Sequence, residues 1–199
     1  MPRPRLPDRR ERILDAAEEL VLDRGFDAMS VQAIAERAGI AKGAVYLEFA
    51  SKEAVVDALV ERGTARLAAA SRAALGDEER PRLSVAYRVA LEALLDDPLM
   101  TAALLDDPGV LGAYADAHRG ERYAARHRGV VAWVRELQEG GALEAGVYAD
   151  GLALALSSAT IGLLSASRLL GPLDRDQLGA ALAALADLVA RVEVGDAAG

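Results

Sequence analysis

Apolar residues recur along this chain at intervals of three and four, the pattern of helices with one buried face. In the first such stretch, from about Arg9 to Asp23, Ile13, Ala17, Leu20 and Val21 share a side, and Gly25 ends it. In the second, Val31, Ile34, Ala35 and Ala38 repeat the pattern behind Ser30, whose hydroxyl can cap the helix; Gly39 closes it. A short third helix is predicted over 41–48. Ser51 then caps a long fourth helix that starts with Lys52 and Glu53 and reaches about Leu75. A charged loop, 76–82, follows. Further helices are predicted near 83–96, 98–106, 108–118, 120–139, 149–170 and 174–193, with Gly140-Gly141 and Gly171-Pro172 as the clearest breaks. Alternating β patterns and Asn-Gly hairpin signals are missing. The expected fold class is all-α.

Composition narrows the chemistry. Apolar residues make up 52% and charged residues 27% of the 199 positions, a globular balance. With no cysteine, disulfide scaffolds, thiolate zinc sites and cysteine nucleophiles are excluded. His118 and His127 are the only imidazoles, which excludes a histidine-rich metal centre. His118 and Glu121, three apart, read as a surface ion pair. No GxGxxG, P-loop or GxSxG occurs, so the expectation is a non-enzyme without metal or cofactor. The net charge is −8, and residues 1–63 hold ten basic against twelve acidic side chains. A uniformly basic nucleic-acid coat is excluded, but a local basic surface is not. Asp15, Glu18 and Glu19 interrupt the apolar run that begins at Ile13, so the N-terminus does not read as a secretory signal, and a cytoplasmic protein is expected.

Two short helices joined by a tight turn with a glycine read as a helix-turn-helix over 30–49. Ala35 is small enough for close helix approach. Gly39, four residues on, can take the left-handed conformation the turn needs, and Val45 points back into the small core. Ala35-x3-Gly39-x5-Val45, Tyr46-x-x-Phe49 and Ser51-Lys52-Glu53 occur together in register. In these motifs the run from Arg10 to Gly63 resembles the DNA-binding domain of the TetR family of bacterial transcriptional regulators. The resemblance covers roughly a quarter of the chain at motif level. It implies a basic arm at 1–8, a DNA-binding domain at 9–63, and a helical effector-binding and dimerisation domain at 64–199.

The resemblance further implies a homodimer on palindromic double-stranded operator DNA, with the third helix in the major groove. Ser30 would cap the second helix toward a phosphate, and Gln32 would reach phosphate or a base edge. Ala41, Lys42, Gly43 and Ala44 would form the reading surface, with Lys42 the candidate for guanine. Tyr46 and Lys52 match sugar-phosphate contacts, and Arg3, Arg5, Arg9 and Arg10 form a basic arm for the adjacent backbone or minor groove. Glu48 departs from the family pattern. Its carboxylate would repel phosphates, accept a hydrogen bond from cytosine, or pair with Lys52. It also raises an alternative, a helical binding or scaffold protein whose DNA surface has lost activity.

An effector pocket is implied as well, with Tyr87, Met100, Tyr114, Tyr123 and Trp133 as its candidate lining and a hydrophobic or aromatic small molecule as its occupant. Trp133, with Val130, Val134 and Leu137, reads equally as core. Effector binding would release a repressor from DNA. Residues 151–167 carry no charge, which by length would allow a membrane span. Five of those 17 are Ser or Thr and Arg168 follows, so a helix–helix contact is the better reading, without a membrane. Together with Leu178, Ala181, Leu182, Leu185, Leu188 and Val189, this stretch would build a four-helix dimer interface from 149–170 and 174–193.

Overall fold

The computed structural model describes residues 9–76, 81–144, 146–170, 174–191 and 193. Arg3, Arg5, part of the 76–82 loop, the Gly171-Pro172 break and the side chains of His118, Glu121, Tyr123 and Arg168 lie outside the described residues. Among the described residues nine helices follow in order: α1 Arg9–Ala28, α2 Val31–Ala38, α3 Lys42–Glu48, α4 Lys52–Leu75, α5 Leu83–Leu95, α6 Pro98–Leu105, α7 Pro108–Glu139, α8 Ala149–Leu170 and α9 Arg175–Ala190. Among the described residues the one β contact is an isolated bridge between Leu143 and Glu193. The chain is all-α, as its periodicity indicates.

Most helix ends follow from local chemistry. Ser30 Oγ accepts from the Ala33 N–H at 3.1 Å, and Gly39, at φ 65°, returns α2's last carbonyls a donor. Ser51 Oγ accepts from Ala54 N–H at 3.2 Å at the start of α4. Asp97 caps α6 ahead of a proline in its first turn, and Asp174 with Gln177 forms a capping box for α9.

Two breaks have a tertiary cause. Gly25 interrupts α1 at φ 76°, ψ 164°, where a side-chain carbon would lie 2.6 Å from the carbonyl oxygen of Gly109. The break expected between 118 and 120 is absent, and α7 runs through it. Gly120 weakens a helix without forbidding it. The actual break is at Gly112, at φ 47°, ψ −134°. There the Asp27 carboxylate fills the space a Cβ would need, and its Oδ1 accepts from the Ala113 N–H at 3.2 Å. An acceptor from α1 thus caps the helix as it restarts.

The described residues divide into two compact units, one running to 66 and again over 97–118, the other over 67–96 and from 119 onward. In the first, Ile13, Leu20, Val21, Ile34, Val45, Val55, Val56 and Leu59 form one core with Leu99, Leu111 and Tyr114. Phe26 and Tyr114 rings meet at 5.5 Å, and the Tyr114 hydroxyl donates to Asp57 Oδ1 at 2.6 Å. Gly63 leaves room on α4 for the sulfur of Met100. Arg62 bonds Glu11 (3.0 Å), Asp15 (2.7 Å) and Glu18 (2.6 Å), tying α4 to α1, while Arg66 joins Glu18 (2.8 Å) and Asp97 (2.9 Å). Burial opposes the charge on both guanidinium groups, but these carboxylate bonds outweigh it and hold both pKa values above the usual arginine range.

In the second unit α5 packs on α9 and α9 on α8. Leu83, Tyr87, Leu91, Val134, Ala153 and Leu182 lie in its core. The Tyr87 hydroxyl shares a 2.8 Å hydrogen bond with Thr160. Burial raises the Tyr87 pKa, and the Thr160 bond offsets part of that rise. The start of α5 has no side-chain cap of its own. Glu193, only 5% exposed, supplies one from the far end of the chain: it accepts from Ser84 N–H at 2.6 Å and from Arg82 Nε at 2.9 Å.

Candidate nucleic-acid interface

The turn between α2 and α3 brings a seven-residue helix to the surface of the first unit. Val45 and Phe49 are buried and fix α3 on the core of α1 and α2. Val45 marks the inward side of the helix and Phe49, its C-cap, enters the same core, so other residues must face outward. Ala41, Lys42, Gly43, Tyr46 and Leu47 are exposed, and Ala44 and Glu48 are half-buried. Tyr46 is 51% and Leu47 76% exposed. Gly43 has nothing within 4 Å of the position a Cβ would take. The outer face of α3 is therefore an ammonium group, a flat stretch of Gly and Ala, a phenol and an isobutyl group. That set offers hydrogen bonds to base edges and phosphates and apolar contact to thymine methyls.

The other candidate DNA residues are engaged in different ways. Ser30 is exposed and committed to capping α2. Gln32, one turn in, is exposed, and its amide donates to Glu36 at 2.7 Å. Lys52 is half-buried, which its spacing does not reveal. Its Nζ donates to the Phe26 carbonyl at 2.9 Å and lies 3.9 Å from the centre of the Phe26 ring. It thereby caps the short segment that follows Gly25. An ammonium group has three donors, so this bond leaves capacity for a phosphate.

Glu48 does not pair with Lys52. Its Oε1 takes Arg9 Nε at 2.8 Å and also Arg9 Nη2. The i+4 spacing favours a pair only within one continuous helix. Here α3 ends at Glu48 and Phe49 is extended, so Lys52 starts a separate helix. The next arginine, Arg10, stacks its guanidinium 4.4 Å from the centre of the Phe49 ring. Arg12 reaches the carbonyls of Ala38 and, at 3.3 Å, Gly39. Three arginines in the first turn of α1 thus brace the turn and the end of α3. Leu47 was legible by spacing, since it follows Gly43 by four on the same face, while the arginine contacts left no local sequence signal.

The described candidate pocket residues belong to two different units. Met100 and Tyr114 pack in the first unit, and Tyr87 and Trp133 in the second. Trp133 is half-buried against the second core.

Residues 13–59 match the sequence model of the bacterial regulatory proteins, tetR family. The chain is similar to the HTH-type transcriptional activator FasR of Mycolicibacterium smegmatis, 38% identical over 96 residues that make up 46% of this chain and 42% of FasR. It is also similar to the HTH-type transcriptional repressor KstR of Rhodococcus jostii, 32% identical over 97 residues, 49% of this chain and 46% of KstR. The chain thus spans less than half the length of these two curated relatives. A solved structure concerned with control of antibiotic production by bacterial hormones is similar over 95% of this chain and 99% of its own, with a TM-score of 0.68 and 29% identity.

Proposed function

The chain belongs to the TetR family of helix-turn-helix transcriptional regulators, and from that premise we propose that it binds a palindromic operator as a homodimer and represses until a small molecule releases it. The observation that carries the DNA-binding part is the outer face of α3, where Lys42, Gly43, Tyr46 and Leu47 stand exposed on a helix locked from behind by Val45 and Phe49. Ser30, Gln32, Ala41, Ala44 and Lys52 complete the interface, and Arg9 and Arg10 flank it. Such a protein works in the cytoplasm. The alternative of a decayed DNA surface rested on Glu48, whose charge is now matched by Arg9.

The dimer reading is supported by α8 and α9. The stretch 149–166 is long and apolar enough to cross a membrane, yet only 28% of it is buried within one chain. Leu154 on α8 and Leu188 on α9 are exposed, Leu188 at 61%. A second copy of the chain covers them in this reading, without a membrane. Leu188→Arg then shifts the protein from dimer to monomer in light scattering; an unchanged mass refutes this interface.

Effector binding is read for the helical part of the chain beyond the helix-turn-helix, with a hydrophobic or aromatic ligand and, within the second unit, Tyr87 and Trp133 as its candidate contacts. Similarity to a structure concerned with bacterial hormones supports a ligand-responsive regulator. Releasing DNA a hundredfold requires ~2.7 kcal/mol of differential ligand affinity between two shapes of the dimer. The sign of regulation is read from a reporter behind the operator, since the relatives include an activator and a repressor.

The decisive test is fluorescence anisotropy of the purified protein on duplex DNA from upstream of its own gene, against random duplex, across a salt series. A dimer using Lys52 and one arm arginine per protomer gives a log–log slope of about −4 or steeper. Selective, salt-dependent binding lost in Lys42→Ala and Tyr46→Ala supports the proposal. A folded dimer that prefers no sequence, here and in a genome-wide selection, refutes it.

A further inference from the structure

We propose that Glu48 is a positioning residue, which holds the Arg9 guanidinium at the end of α3 so that Arg9 meets a DNA phosphate. The inference rests on the DNA-binding reading above. Two successive arginines of α1 are fixed on two successive residues at the end of α3: Arg9 on Glu48 and Arg10 on Phe49. Both Arg9 bonds converge on a single carboxylate oxygen, through Nε and Nη2. A guanidinium has five donors in a rigid plane, so fixing one edge aims the other. The exposures have the matching order, with the Glu48 side chain 22% and the Arg9 side chain 46% exposed. Glu48 is the inner member and Arg9 the outer one. Surface ion pairs of this exposure add little to stability, so folding alone gives the pair little reason to exist. Lysine could not do the same, because its ammonium group is a point charge on a flexible stem.

Glu48 as a mere negative charge near phosphates and Glu48 as a support for Arg9 predict opposite signs for the same substitution. If it only repels, removing the carboxylate tightens binding and steepens the salt dependence. If it positions Arg9, removing it weakens binding and flattens that dependence. Glu48→Gln keeps an oxygen that can accept from Arg9, and Glu48→Ala keeps none, so positioning orders the affinities wild type, Gln, Ala.

The experiment uses the full chain and a duplex from upstream of its own gene, in anisotropy titrations from 50 to 200 mM salt. Wild type, E48Q, E48A, R9A, R9K and the R9A/E48A double variant are compared. Expected for E48A is a roughly tenfold loss and a slope flatter by about 1.8, which is about 0.9 for one phosphate contact per protomer. R9A matches E48A, the double variant is no weaker than R9A, and R9K does not restore wild-type binding. Thermal melts within a few degrees of wild type show that folding is not the cause. Tighter or unchanged binding by E48A overturns the inference while leaving the DNA-binding reading intact. A wild type with no salt-dependent binding overturns both.

Discussion

Replacing Gly25 and Gly43 by alanine, one at a time, moves stability in opposite directions. Gly25 sits at φ 76°, ψ 164°, in a region that is essentially glycine-only, at about 1–3 kcal/mol for any other residue. The added methyl would also stand 2.6 Å from the backbone oxygen of Gly109, which is not the end of a movable side chain. Crowding of that kind costs about 1–3 kcal/mol. Gly25→Ala should therefore lose about 2–6 kcal/mol, a large fraction of the ~5–15 kcal/mol that holds a domain together. Gly43 is helical with open space beyond it, and alanine there should gain about 0.5–1 kcal/mol. Urea unfolding followed by circular dichroism at 222 nm measures both, provided the slope m stays that of wild type. Gly43→Ala should also weaken operator binding, because its methyl thickens the flat part of the reading face, so stability and affinity part company. A Gly25→Ala variant within about 0.5 kcal/mol of wild type would falsify the break and its contact with Gly109.

Three further outcomes are expected. Glu193→Ala leaves the buried Ser84 N–H without its acceptor and should cost about 1.5–3 kcal/mol in urea unfolding, with Glu193→Gln intermediate; equal stability of all three would dismiss the cap. The raised Tyr87 pKa means that the unfolded chain loses this proton first. The stability it contributes is complete below pH 10.0 and disappears as pH rises through the folded value, so Tyr87→Phe should flatten the alkaline decline, and an unaltered decline counts against it. Lys52→Met should lose about 1–2 kcal/mol from the Phe26 contacts and flatten the salt slope of DNA binding by ~0.9 per protomer; a stability loss with an unchanged slope would make Lys52 purely structural.

The parts of the molecule that were legible in the sequence are those governed by near neighbours. Ser30, Ala35, Gly39 and Val45 act within fifteen residues of each other, and α2, its turn and α3 form where the spacing places them. The misses depend on residues far apart in sequence. Gly112 breaks α7 because Asp27 occupies its side-chain space, whereas Gly120 has no such effect. Glu48 takes Arg9, 39 positions away, instead of Lys52, because the chain leaves the helix between Glu48 and Lys52. Glu193 caps a helix 109 positions upstream. Aromatic character likewise says that a side chain is buried, but not in which core: Tyr114 lies in the first and Tyr87 in the second.

The first compact unit reclaims residues 97–118 after the chain has left it at 66. Anyone building a hybrid regulator from this protein inherits that detour. A transplant cut in α4 would carry the reading helix but abandon Leu99, Leu111, Tyr114 and Ala115, and with them the partners of Phe26, Asp27 and Asp57. The donor's operator preference would then ride on a hollowed head. Three seams, at 66/67, 96/97 and 118/119, keep that head whole, so α6 and the opening turns of α7 must travel with the helix-turn-helix they underpin.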